Sequence, residues 1–337
     1  MRHLLVACIA LIASGCATAP FDLQGHRGAR GLAPENTLPA FARALSIGVT
    51  TLEMDTNVTS DDVMVVVHDS SLNPDITRDA DGQWLARRGP SVRNITYSQL
   101  MAYDVGRTKP GTRYAQGLPA QVPVDGTRIP RLAQVFDLAR KARNDQVRFN
   151  IETKLTPTSP EETLAPTPFA RKLVQEIREA GLTTRATIQS FDWRTLQEAQ
   201  RQAPEIATVY LTAQQKFLDN VCGGPLGHRP DVAPADCQAS GWTASFQLAD
   251  YGSVPKMVKA AGGRTWSPYY GDVDAAKVAE AKSLGIGVVV WTVNDPATIA
   301  RMMDLGVTGI ISDRPDLVRE EMRKRGMALP AATPVEP

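Results

Sequence analysis

The chain has 337 residues, with 37 Lys and Arg against 36 Asp and Glu, and 43% of its residues are hydrophobic. That length suits one α/β barrel with insertions, and the near-balanced charge excludes both a nucleic-acid footprint and an acidic solvating tail. Past the first dozen or so residues, no apolar run is long enough to span a bilayer.

Residues 1–15 read as a signal peptide of the lipoprotein type. Met1-Arg2-His3 is a short positive start, and Leu4 to Ala13 is an apolar stretch of signal length. Ala13-Ser14-Gly15-Cys16 resembles a bacterial lipoprotein box, with Cys16 as the acylated residue, although Ala13 stands where Leu is commonest. A plain secretory signal with a chance cysteine is the alternative. Both readings take the chain out of the cytoplasm, to the periplasm or cell surface, and the first ties it to a membrane by lipid alone. Cys8 then leaves with the signal, and Cys222 and Cys237 remain. In an oxidising compartment such a pair is expected to form a disulfide, here stapling a Gly/Pro-rich loop. A two-cysteine metal site is the rival, with His228 as its only nearby histidine.

After a linker over 16–21, apolar runs alternate with amphipathic stretches. Strands are expected at about 22–27, 50–56, 147–153, 186–190, 206–211, 264–267, 286–292 and 307–311. Helices are expected at roughly 37–47, 132–143, 167–180, 192–202, 253–261, 274–284, 296–304 and 314–325. Eight strand–helix units over 22–326 are the count of a TIM (β/α)8 barrel. A doubly wound open sheet is the runner-up, but no glycine-rich dinucleotide fingerprint supports it. Val63 to Val67 follows the second strand too closely for a parallel crossover, so it must turn back as a hairpin around Ser60-Asp61-Asp62. That turn sets Asp55 opposite Val67 and Met54 opposite His68. Two insertions depart from the repeat: residues 70–130 after the second strand and 212–252 after the fifth. Residues 327–337 read as a flexible tail.

The residues that carry chemistry concentrate between Gly25 and Asp69. Gly25-His26-Arg27-Gly28 and Pro34-Glu35-Asn36-Thr37 come first, then Glu53-Met54-Asp55 and Val67-His68-Asp69. Glu53 and Asp55 are two apart, so a strand points both to one face. Like charges so close repel unless a cation lies between them, and hard divalent ions prefer such oxygens. Two histidines and an arginine beside them suit phosphoryl transfer, with acid, base and anion clamp.

These motifs, together with Ala40-Phe41 and His68-Asp69-x-x-Leu72, closely resemble the glycerophosphodiester phosphodiesterase family. Fainter pieces continue the likeness from Asp22 to Arg319: Asn150-Ile151-Glu152-Thr153-Lys154, Gln189-Ser190-Phe191, Trp291-Thr292-Val293-Asn294 and Ile311-Ser312-Asp313. The resemblance implies Glu53, Asp55 and Glu152 as ligands of one divalent ion, Ca²⁺ or Mg²⁺. It implies His26 and His68 as acid and base in either order, Arg27 and Lys154 as phosphate-binding cations, and Trp291 as the aromatic wall behind the glycerol. Glu152 reads equally as a salt-bridge partner of Lys154, and Trp291 as a core tryptophan. Glu35 is expected as a buried partner for Arg27, and Asn36 as a hydrogen-bonding support at the substrate site.

The implied reaction is hydrolysis of a glycerophosphodiester to sn-glycerol 3-phosphate and an alcohol. Its rivals are a phospholipase D-like enzyme acting on lipids and a non-catalytic lipoprotein that binds head groups or a partner protein. No decay of the histidines or carboxylates favours the last. After His68-Asp69 the family's commonest pattern is Leu-x-Arg-Thr-Thr, whereas this chain has Leu72-Asn73-Pro74-Asp75-Ile76-Thr77-Arg78. The alcohol side of the site is therefore where this chain departs most.

Overall fold

A computed structural model describes residues 20–223 and 237–337. The signal segment, Cys16 and His228 lie outside the described residues. Eight parallel strands close into a barrel: β1 (Asp22–Gly25), β2 (Thr51–Val58), β4 (Arg148–Thr153), β5 (Ala186–Ser190), β6 (Ala207–Thr212), β9 (Thr265–Pro268), β10 (Gly287–Val290) and β11 (Gly309–Ser312). Each hydrogen-bonds to the next, and β1 pairs with both β2 and β11, which leaves no open edge. The expected TIM barrel is the fold. Its strands were readable where both faces are covered by apolar residues, as in β10 and β11; β2 is buried along all eight residues yet carries Glu53, Asp55 and Asn57.

Helices α1 (Leu38–Ile47), α4 (Leu132–Lys141), α5 (Pro166–Glu179), α6 (Trp193–Gln202), α8 (Val254–Ala260), α9 (Ala275–Ser283), α10 (Pro296–Asp304) and α11 (Pro315–Lys324) ring the barrel. Their ends follow local chemistry. In α1, Thr37 caps the start by accepting from Ala40 N at 3.3 Å, Pro39 fits the first turn, and Gly48 ends the helix at φ 86°. Apolar faces then pack inward, as with Phe136 of α4, whose ring meets Phe149 of β4 edge-on at 5.0 Å. Among the described residues, no helix is long and apolar enough to cross a membrane.

The hairpin forms as expected. Strand β3 (Met64–Val66) pairs antiparallel with β2, Thr56 opposite Val66, and Val67 N donates to Asp55 O at 3.0 Å. The excursion that follows holds two short helices, α2 (Tyr97–Leu100) and α3 (Arg113–Gln116), over a small apolar cluster of its own around Val65, Leu72, Leu100 and Ile129. The insertion after β6 starts with a ribbon, β7 (Gln214–Gln215) and β8 (Leu218–Asp219), and ends with α7 (Leu248–Tyr251). Within it Cys222 and Cys237 are joined as a disulfide, with Cα atoms 5.0 Å apart. The tail from 327 has no helix or strand, yet it lies against the body. Thr333 N donates to Leu45 O at 2.9 Å, and Arg319 holds Pro330 O at 2.7 Å.

Candidate active site

At the carboxyl end of β1 the chain turns sharply, and Gly25 makes the turn possible. A Cβ there would stand 2.1 Å from Gly28 O. His26 N donates to Ser312 O at 2.9 Å, and Arg27 takes a left-handed φ of 49°. Both side chains thereby reach the mouth of the barrel, where active sites of this fold are built.

Strand periodicity and register assemble the carboxylates. Glu53 and Asp55 share the inner face of β2, and parallel pairing sets Asp55 beside Glu152 and Glu152 beside Gln189. Glu53, Asp55 and Glu152 are all buried, and each offers an oxygen within 4.8 Å of the others. Glu53 is gripped by Arg27 N at 2.8 Å and by Gln189 Nε2 at 2.6 Å, while Asn36 Nδ2 donates to Asp55 at 2.9 Å. Burial and the Asp55 charge push Glu53 well above the ordinary carboxyl range, and burial pushes Glu152 up to about 7. Burial acts likewise on Asp55, but Arg27, His68 and Lys154 outweigh it and hold that group below its usual value. So the cluster holds more carboxylate than its neighbours neutralise, a state that a proton or a cation relieves. Three oxygen donors suit a hard divalent ion, so the residues fit the expected metal.

Cations stand beside this cage. Arg27 donates from Nη1 to Glu35 at 2.7 Å and places Nε 3.2 Å from Asp55, so Glu35 is its buried partner as expected. Lys154 Nζ lies 2.8 Å from Glu152 and 3.8 Å from Asp55. Glu152 therefore pairs with Lys154 and also belongs to the cluster. The two readings of that residue are compatible.

Each histidine is backed by an aspartate. His26 Nδ1 donates to Asp313 at 2.6 Å, and His68 Nδ1 donates to Asp69 at 2.7 Å. Asn294 Nδ2 holds the other oxygen of Asp313 at 2.7 Å, and Asn73 Nδ2 holds that of Asp69 at 2.8 Å. A carboxylate on Nδ1 fixes the tautomer and leaves Nε2 to work. Burial lowers the His26 pKa despite Asp313. Burial, then Arg27 and Lys154, lower His68 to about 4. Both rings are therefore neutral near pH 7 before a ligand arrives.

His26, Arg27, Glu53, Asp55, His68, Glu152, Lys154 and Trp291 all line one cleft of about 370 Å³. Trp291 lies just past the end of β10, which stops at Val290 rather than at the expected 292. Its ring is edge-on to Phe191 at 5.3 Å, so it walls the cleft and is not a core residue. Asn36 is a hydrogen-bonding support as expected: it is buried behind Asp55, outside the cleft lining, and exchanges hydrogen bonds with that residue. Sequence reasoning assigned no roles to Asp313, Asp69, Gln189, Arg30 or Tyr114. Arg30 Nε lies 3.0 Å from Asp313, and Tyr114 donates its hydroxyl to Glu35. Asp313 and Gln189 had signals available, since both stand in the fainter family pieces and within one residue of a barrel strand's end.

Polar groups at the ends of β1, β2, β4, β5, β10 and β11, with imidazoles for protons and cations for an anion, define a barrel enzyme of phosphoryl transfer. The sequence profile of the glycerophosphoryl diester phosphodiesterase family matches residues 26–317, and the chain belongs to that family. It is 27% identical over 305 residues to a glycerophosphodiester phosphodiesterase of Caldanaerobacter subterraneus subsp. tengcongensis, covering 89% of this chain and 97% of that one. A Silicibacter pomeroyi protein whose solved structure carries the family's name superposes with TM-score 0.78 at 34% identity, covering 92% and 95% of the two chains. An Oleispira antarctica phosphodiesterase solved with sn-glycerol-3-phosphate shares the fold at TM-score 0.59 and 20% identity, covering 89% and 96%.

Proposed function

We propose that this protein hydrolyses glycerophosphodiesters to sn-glycerol 3-phosphate and a free alcohol. One observation carries the reading: two aspartate-backed histidines and a buried three-carboxylate cluster share one cleft. A calcium or magnesium ion held by Glu53, Asp55 and Glu152 would offset charge that builds on the phosphate. Arg27 and Lys154 would grip the phosphate oxygens and set its orientation. One imidazole takes the proton of the attacking water, or of the glycerol 2-hydroxyl, at Nε2. The other returns a proton to the leaving oxygen. A bound phosphodiester anion raises the imidazole next to it, which supplies that proton near neutral pH.

The test is glycerol 3-phosphate release from a panel of glycerophosphodiesters by the purified, metal-loaded protein. Release from none of them sinks the reading. We further infer export and acylation at Cys16 from the amino-terminal motif. Cys16→Ser should free the protein from membranes with activity intact, and retention of that variant on membranes would contradict it.

A further inference from the structure

The cleft does not end at His68. A second chamber of about 370 Å³ opens from it, sharing His68, Glu152, Lys154, Phe191 and Trp291 with the first. The two differ in character. The inner one is walled by carboxylates, amides and cations, whereas the outer one is mainly carbon surface. The insertion after β6 supplies Phe217, Leu218 and Trp242 to its wall. Phe217 is 64% exposed at the tip of the β7–β8 ribbon, although it is among the most apolar residues of the chain. The ribbon is pinned in place: Asn220 Nδ2 donates to Phe191 O at 3.1 Å, and Trp193 N donates to Trp242 O at 2.7 Å. Phe217 precedes Cys222 and Trp242 follows Cys237, so the disulfide ties the two sides of this wall together.

A phosphodiester has two ester arms, and these joined chambers offer one place for each. The inner chamber is the richer in hydrogen-bonding partners for a polyol arm, which leaves the outer one, where Ser70, Thr156 and Thr163 are the hydroxyls, to the alcohol. Glu152 on its lining is paired with Lys154, and Asp69, held by His68 and Asn73, is a second carboxylate there. Ser70 and Thr156, which also line it, already bond to Glu162 and Thr158. Aromatic faces beside the Asp69 carboxylate, with few spare hydrogen-bonding groups, favour a methylated cation over a bare ammonium or a polyol. We propose that the outer chamber receives the alcohol arm and selects an alcohol bearing a quaternary ammonium, held by the rings of Phe217, Trp242 and Trp291. This rests on the phosphodiesterase reading above.

The metal-loaded full chain is assayed for kcat/KM on glycerophosphocholine, on glycerophosphoethanolamine, and on the 3,3-dimethylbutyl ester, an uncharged isostere of the choline ester. The choline ester should lead both others by about tenfold, within the range of aromatic–cation attraction. Phe217→Ala and Trp242→Ala should each shrink that lead toward one, and Trp242→Phe should preserve it. Equal rates on the isostere and the choline ester overturn recognition of charge. A lead that survives both alanine variants overturns the assignment of the chamber. Failure to hydrolyse any of the three overturns the phosphodiesterase reading itself, and this one with it.

Discussion

Asp313→Asn tests how far the aspartate behind His26 contributes to turnover. Asp313 is buried, receives Nδ1 of His26 at 2.6 Å, and is itself held by Asn294 at 2.7 Å. A hydrogen bond to a charged group contributes about 1.5–3 kcal/mol, and a neutral one roughly half as much. If His26 gains a full charge in the transition state, the amide forfeits about 0.75–1.5 kcal/mol of stabilisation. At about 1.36 kcal/mol per tenfold, that is a loss of roughly 4- to 13-fold in kcat. Asp313→Ala forfeits the whole bond, so roughly 13- to 160-fold is expected. It also takes an ion-pair partner from Arg30 and the acceptor from Asn294, so its unfolding temperature should fall, and further than that of the asparagine variant, which keeps an acceptor for one of His26 and Asn294. The assay is glycerol 3-phosphate release across substrate concentrations, with thermal unfolding measured in parallel. The loss should fall on kcat more than on KM. A folded asparagine variant with kcat within twofold of wild type would refute a working Asp313–His26 pair.

Three further outcomes are expected. His26→Ala and His68→Ala should each lower kcat by about 100-fold or more with metal content unchanged, and near-normal turnover in either would remove that ring from the mechanism. Cys222→Ser with Cys237→Ser opens a loop with a sequence separation of 15, worth about 3 kcal/mol in the chain-entropy view; unchanged denaturant stability would argue against the staple. Glu53→Gln removes one of three crowded carboxylates, so metal-free variant should melt no lower than metal-free wild type. A clear drop in melting temperature would mean that the repulsion is not there to relieve.

Strand order and the histidine hairpin were legible because they depend on local pattern. A buried parallel strand is an apolar run, and a short gap between runs forces an antiparallel return, which the Thr56–Val66 register bears out. Two members of the carboxylate cluster were legible from strand spacing, but the third only through a family motif, because it arrives by register: Asp55 meets Glu152 across 97 positions only once β2 and β4 pair in parallel. Asp313 is 287 positions from His26, and no local pattern connects residues so far apart. Asn36 was legible as a support, but its partner was not. It sits inside a recognisable motif, but only the fold shows that its amide faces Asp55 from behind. The aromatic wall was invisible because Phe217 and Trp242 lie in an insertion whose composition suggests only a loop.

The central claim is that the carboxylate cage and the paired histidines act together on a glycerophosphodiester. The most direct measurement is glycerol 3-phosphate release by protein stripped with a chelator, shown metal-free by elemental analysis, and then reloaded with Ca²⁺ or Mg²⁺. The stripped protein should be inactive and melt at a lower temperature, and the added ion should restore both hydrolysis and melting temperature. Full hydrolysis by the verified metal-free protein would contradict the account.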